Sequence, residues 1–349
     1  NHKYLKIWFD ILTPKQLLFF EHMIYSLRKN SSVICTTRNY PQVTQLAKIR
    51  KFDVVSIGKY GGSEKFDKLN SSINRMKLLA NFIKKTSPDL TISFCSPEAA
   101  RISYGVGIKH IAFSDSPHSE AVMKLSLPFV NKLLIPWIIP KKEFSKYGIE
   151  AKNIIHYKAI DAAIIAKLKS TENTKKLDKK KKRKIILVRV DEEEASYSSK
   201  KKPAISIIKE IVKNFHDEEI IILGRYPSQV RYLAQTFGNK IRILDRVVDG
   251  RKLLMNTDIF LGSGGTMTAE SALLGIPTIS YDAVPNIIES YLVRKKLVMR
   301  GKTPKEIVSL IRKLLNSSNS DIKNKSKKML NSMEDPYHIL VKTINSVLK

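Results

Sequence analysis

Short apolar runs rich in β-branched residues alternate with longer stretches of helical spacing along the whole chain. In the first half the runs fall at 5–9, 32–36, 53–57, 90–94, 110–113 and 133–136, with helical spacing over 15–29 and 63–86. Such alternation predicts a parallel sheet wrapped on both faces. Thr13 can cap the first helix, and Pro14 suits its first position. The pattern breaks over 155–184, where residues 171–184 read TENTKKLDKKKKRK and offer only Leu177 to bury. It then restarts, with strand-like runs at 185–190, 219–223, 240–244, 258–261, 277–280 and 297–299. Helical spacing separates them at 204–215, 228–236, 266–274, 285–293 and 304–315. Two doubly wound parallel-sheet α/β domains facing a cleft are therefore expected, at 1–157 and 185–335, with a basic linker at 158–184. An amphipathic helix near 336–348 is expected to return to the first domain.

Composition agrees with this picture and adds a charge. With 349 residues, 43% hydrophobic and 27% charged, the chain is globular and long enough for two cores. Lys and Arg total 62 against 32 Asp and Glu, a formal net charge of +30. That field attracts polyanions without choosing among them. A surface lysine bias explains it equally well, since the basic residues are spread along the chain. The two cysteines, Cys35 and Cys95, lie on strand-like runs and read as buried thiols in a reducing compartment. The apolar stretch 125–139 contains Pro128, Asn131, Lys132 and Pro136, so it is not a membrane span. A cytoplasmic protein is expected, with peripheral contact to the anionic inner membrane face as a further option and nucleic acid not expected.

The densest chemical signal is 258–280, DIFLGSGGTMTAESALLGIPTIS. An apolar strand runs into Gly262-Ser263-Gly264-Gly265-Thr266, and a helix follows at once. Glycines let the backbone approach an oxyanion, and a helix amino end supplies unpaired N–H donors with a partial positive charge. Glu270, one turn in, can accept bonds from ribose hydroxyls. An ordinary strand-to-helix turn capped by Thr266 is the bland alternative. The spacing matches neither a Walker loop nor the dinucleotide fingerprint.

This segment resembles the donor-sugar region of glycosyltransferase-B enzymes and of UDP-N-acetylglucosamine 2-epimerases. The chain as a whole resembles the archaeal and bacterial family DUF354. The likeness is carried by LKIWFDILTPKQLLFFEHMI, CTTRNYPQVTQLAKIRKFDVVSIGKYGGS, SPEAARISYGVGIKHIAFSDSPHS and ILVRVDEEEASY. It implies a glycosyltransferase-B fold of two Rossmann-like domains and a nucleotide-sugar substrate of uridine type, with no cofactor and no metal. It departs from the epimerases in one respect. Asp115 stands where they carry a glutamate, and HSEAVMKLSLPFVNKLLIPW offers only Glu120 for their later one.

Individual residues can be assigned on physical grounds. Arg189 ends a strand, where a guanidinium can clamp a diphosphate, or else pair with Asp191 or Glu192. Gly224-Arg225 ends the next strand and can frame base or phosphate. In the first domain, Asp115 and His118 form the best acid–base pair, His118 taking an acceptor proton with Asp115 orienting it. Helix capping by Asp115 or Ser116, with His118 passive, explains them equally well. Asp10, Thr13, Lys15, Arg38, Gly61, Gly62 and Glu98 are the remaining candidates for contact with sugar or acceptor. Three readings follow: a metal-independent glycosyltransferase acting on a glycan or lipid-linked acceptor, a nucleotide-sugar epimerase or hydrolase, and a basic anion-binding protein without catalysis.

Overall fold

A computed structural model describes residues 4–62, 64–168, 183–190, 203–224, 227–244, 250–281 and 286–349. The chain divides into two compact units, residues 1–168 with 333–349, and residues 169–332.

The first unit is built on seven parallel strands: β1 (Leu5–Asp10), β2 (Ser31–Asn39), β3 (Val55–Lys59), β4 (Leu90–Ser93), β5 (Lys109–Phe113), β6 (Lys132–Pro136) and β7 (Ile154–Tyr157). Their order is β3-β2-β1-β4-β5-β6-β7. Successive side chains of a strand face opposite ways, so β1 sends Trp8 and Phe9 into different layers. Trp8 packs with Leu79, Ile83, Ala99 and Ile102. Phe9 joins Phe19, Phe20, Phe94 and Phe113 in edge-to-face contacts with centroids 5.1–6.2 Å apart. The first helix runs Pro14–Leu27, and the Gln16 N–H donates to the Thr13 hydroxyl at 3.3 Å. The final helix, Tyr337–Val347, belongs to this unit and buries Leu340, Thr343 and Ile344.

The second unit carries six parallel strands: β8 (Ile185–Arg189), β9 (Glu219–Leu223), β10 (Arg242–Leu244), β11 (Ile259–Gly262), β12 (Thr278–Tyr281) and β13 (Val298–Gly301). Their order is β10-β9-β8-β11-β12-β13. Its core includes Ile186, Val188, Ile208, Ile211, Ile222, Leu261 and Ile279. In each sheet the order reverses about one pair, β1 with β4 and β8 with β11. Open parallel sheets bind ligands outside the carboxyl ends of strands at such a reversal.

The structure differs from the sequence pattern most in the stretch read as break and linker. Residues 154–157 form β7, and Asp161–Ala166 form a helix with all six residues buried. With His156 at its centre and Lys158 directly after it, this strand does not register as an apolar run. The helix Gly250–Met255 is only six residues long, and Ser320–Ser332 carries little hydrophobic signal. Residues 169–182, Asp191, Glu192, Tyr197 and Arg225 lie outside the described residues.

Candidate active site

In the first unit the carboxyl ends of the strands converge on two charged clusters. The first is structural. Asp10, at the end of β1, is fully buried. Arg75 grips it bidentately, from Nη1 at 2.9 Å and Nη2 at 2.6 Å. The Thr36 hydroxyl donates to it at 2.7 Å and the Ser96 hydroxyl at 2.6 Å. Burial alone would raise this carboxyl, but the Arg75 charge and the converging donors outweigh it and hold it below its ordinary value. Asp10 thus ties the long helix Lys65–Thr86 to the centre of the sheet. Gly58 makes room for it: with φ +78°, a Cβ there would meet the Arg75 Cγ at 2.6 Å. Glu98, also buried, accepts from the Ser72 hydroxyl at 3.1 Å and lies 3.8 Å from Arg75.

The second cluster faces outward. Lys15 sits in the first turn of helix Pro14–Leu27, where the helix dipole disfavours a cation. Two carboxylates compensate, Asp115 at 2.5 Å and Asp161 at 3.2 Å. Asp115 follows β5 and also accepts from the Ser116 hydroxyl at 2.8 Å. Asp161 opens the short helix after β7 and accepts from the Tyr157 hydroxyl at 2.5 Å. The Lys15 ammonium lies 4.6 Å from the centre of the Phe94 ring. Two like charges around one lysine cannot both ionise freely. Burial raises Asp115, yet Lys15 more than offsets this and leaves it below its ordinary value. Asp161, pushed up by burial and then by the Asp115 charge, sits at about 7. Lys15 is lowered by burial but raised further by its two partners, and stays charged. The side chains of Lys15 and Asp115 keep 20% and 14% of their exposure, against 1% for Asp161. Asp115 and Lys15 therefore meet solvent, and Asp161 with Tyr157 stands behind them.

The other first-unit candidates fall around these clusters. His118 lies in an exposed turn, and Asp115 pairs with Lys15 and Ser116 rather than with His118. Thr13 serves as the helix cap. The Arg38 guanidinium lies 4.8 Å over the Tyr60 ring, which stacks on Tyr40, and its Nε has no hydrogen-bond partner. Gly61 and Gly62 lead toward helix Lys65–Thr86, Gly62 with φ +71°.

In the second unit the site is made of backbone. β11 ends at Gly262, whose Cβ would strike the Thr268 hydroxyl at 2.5 Å and the Phe260 ring at 2.7 Å. Gly264 has φ +86°, and its N–H donates to the Thr268 hydroxyl at 3.2 Å. Gly265, not Thr266, occupies the cap position of helix Thr266–Leu273; it is exposed, and a Cβ there would meet nothing. Ser263 and Thr266 are half-buried beside it, and Glu270 is buried in the helix. The Asn286 amide donates to the Gly264 carbonyl at 3.3 Å and braces the turn. Strand register sets Arg189 level with Leu223 and Gly262 level with Ser280. Arg189, Gly224 and the glycine turn thus share one end of adjacent strands.

Asp161 and Tyr157 are the residues that sequence reading passed over. The available signal was a carboxylate opening an otherwise apolar helix, Ala159 to Ala166. No group of three or more His, Cys, Asp or Glu among the described residues is placed to hold a metal ion. No helix among them is long and apolar enough to cross a membrane.

Two doubly wound parallel sheets, with a glycine turn at the switch point of the second, define a protein of the glycosyltransferase-B fold class. Solved structures share that fold. A UDP-GlcNAc 2-epimerase from Neisseria meningitidis bound to UDP-GlcNAc superposes with TM-score 0.74 at 17% identity, covering 98% of this chain and 100% of that one. A UDP-N-acetylglucosamine 2-epimerase from Rickettsia bellii gives 0.72 at 14%, covering 99% and 97%. The glycotransferase of kitacinnamycin gives 0.64 at 11%, covering 97% and 99%. Residues 5–349 match the family described as "Protein of unknown function (DUF354)", and the chain belongs to that family. The uncharacterized protein MJ0665 of Methanocaldococcus jannaschii is 27% identical over 354 residues, 99% of each chain.

Proposed function

We propose that the chain is a metal-independent glycosyltransferase that takes a nucleoside-diphosphate sugar of uridine type and passes the sugar to a hydroxyl of a glycan or lipid-linked acceptor. The observation that carries this reading is that, of the two carboxylates around Lys15, Asp115 alone meets solvent and is ionised against that lysine. Transfer to a hydroxyl needs one base on one side of the sugar. Inverting a carbon within the sugar needs proton exchange at both faces, and Asp161 is 1% exposed. The acceptor proton leaves late, when bond formation has made the hydroxyl acidic, so a weak carboxylate base suffices. Lys15 keeps that carboxylate charged and aimed. In the second unit, the Gly264–Thr266 amides and helix amino end are suited to stabilise a departing diphosphate. Arg189 is the nearby guanidinium suited to the same charge, and Glu270 the carboxylate suited to the ribose.

A second reading, epimerisation or hydrolysis of the nucleotide-sugar, is favoured by Asp161. Its carboxyl at about 7 beside an ionised Asp115 puts proton donor and acceptor in one cluster. The deciding experiment incubates the protein with UDP-N-acetylglucosamine in heavy water, with and without oligosaccharide or polyprenyl-phosphate acceptors. A transferase leaves the nucleotide-sugar intact until an acceptor is added. Deuterium entering at carbon 2 without acceptor would replace the first reading by the second.

A further inference from the structure

The helix Lys65–Thr86 has two unlike faces. Toward the sheet it buries Arg75, Leu79 and Ile83. Away from it, Phe66 is 74% exposed, Leu69 58% and Ile73 51%. These three recur at i, i+3 and i+7, so they form one stripe about 10 Å long. Every residue from Glu64 to Asn70 is exposed. Monomeric proteins scatter such residues singly; aligned on one helix face they mark a contact surface.

Charge identifies what the surface contacts. The same line of the helix continues through Lys77 and Lys84, both exposed, at i+11 and i+18 from Phe66. Lys65 flanks the apolar end, and Asp67 is the one acidic residue within the helix. An aromatic and aliphatic stripe bordered by lysines is the composition of a helix that lies in the boundary layer of an anionic bilayer. A second copy of a chain with formal net charge +30 would bring the same lysines against their own images.

We infer that helix Lys65–Thr86 docks the first unit on an anionic lipid surface, with Phe66, Leu69 and Ile73 entering the headgroup–acyl boundary and Lys65, Lys77 and Lys84 contacting the headgroups. The inference does not rest on the transferase reading, since it concerns no nucleotide and no reaction. It does place the unit bearing Lys15 and Asp115 on a membrane.

The test is co-sedimentation of the full chain with phosphatidylcholine vesicles, alone or mixed with phosphatidylglycerol. Binding is expected only to the mixed vesicles. A Phe66→Ser, Leu69→Ser, Ile73→Ser variant should bind at least tenfold more weakly, because its apolar contact is gone. Neutralising Lys65, Lys77 and Lys84 to Gln should cost roughly fivefold per lysine. Neutralising the exposed Lys323, Lys327 and Lys328 of helix Ser320–Ser332 is the control, expected to leave binding nearly unchanged. All substituted side chains are exposed, so circular dichroism and melting should match the parent. Absence of binding to mixed vesicles would overturn the inference. So would equal losses from both lysine sets, which would reduce the effect to net charge. Sedimentation velocity showing a dimer abolished by the serine variant would assign the stripe to a second copy instead.

Discussion

The two sheets share a topology but equip their strand ends with different material. In the first unit the chemistry is carried by side chains drawn from distant positions, with Lys15, Asp115 and Asp161 meeting from three separate elements. In the second it is carried by the backbone of one five-residue turn, Gly262 to Thr266. Buried charge is divided the same way. The first unit seals Asp10 against Arg75, at 0% and 1% exposure. The second, among its described ion pairs, has one buried carboxylate, Glu289, and its partner Arg300 is 47% exposed. A backbone site is rigid wherever its glycines are kept, whereas a side-chain site depends on each group holding the charge of the next.

That contrast can be broken most severely at Asp115. Asp115→Asn should lower turnover by roughly 10²–10⁴-fold, the usual worth of a positioned base, while calorimetry finds nucleotide affinity unchanged. Loss of nucleotide binding instead would mean that the two sites do not divide the labour. Next in size is Asp10→Ala, which strands the Arg75 guanidinium. A loss of about 3–5 kcal/mol in denaturant unfolding is expected, the range for orphaning a buried charge. A change under about 1 kcal/mol would show that the latch is not needed.

The glycine turn gives a sharper pair. Gly262→Ala forces a Cβ into the Thr268 hydroxyl and the Phe260 ring, and should cost about 1–3 kcal/mol. Gly265→Ala meets nothing, so stability should stay within about 0.5 kcal/mol. Its new methyl stands where a phosphate would approach, so nucleotide affinity should fall all the same. Equal affinity in parent and Gly265→Ala would remove the phosphate from this turn.

The smallest effect is a slope. The Asp161 carboxyl lies at about 7 in the folded protein, above its ordinary 3.8. Between those values the folded state holds more proton than the unfolded one. Its contribution therefore favours folding in acid and is lost as pH rises through 7, at up to about 1.4 kcal/mol per pH unit. Asp161→Asn should flatten unfolding midpoints across that window and raise them above it. An unchanged slope would place the proton elsewhere in the cluster.

The same division explains what the sequence made visible. The second site is contiguous, from Asp258 to Ser280, so a strand, a glycine turn and a helix can be read in one line. The first is assembled by topology. Asp115 is legible as a carboxylate after a strand, but the sequence offers as its role either a pair with His118, three residues away, or a helix cap, whereas its partner is Lys15, a hundred residues earlier. Asp161 was hidden because β7, which positions it, carries His156 and runs directly into the stretch where the apolar pattern breaks. The strand–helix alternation was legible because each parallel strand, covered on both faces, needs an unbroken apolar run.

The return of residues 333–349 to the first unit has a consequence for how this chain is made. All of 169–332 must leave the ribosome before Leu340 and Ile344 can reach their places. At ordinary synthesis rates that interval is about 10–30 s. For its duration the first sheet is complete in strands yet missing a helix, and the apolar surface beneath Leu340 stays wet. The first unit therefore waits for its last helix until the whole of the second has been synthesised.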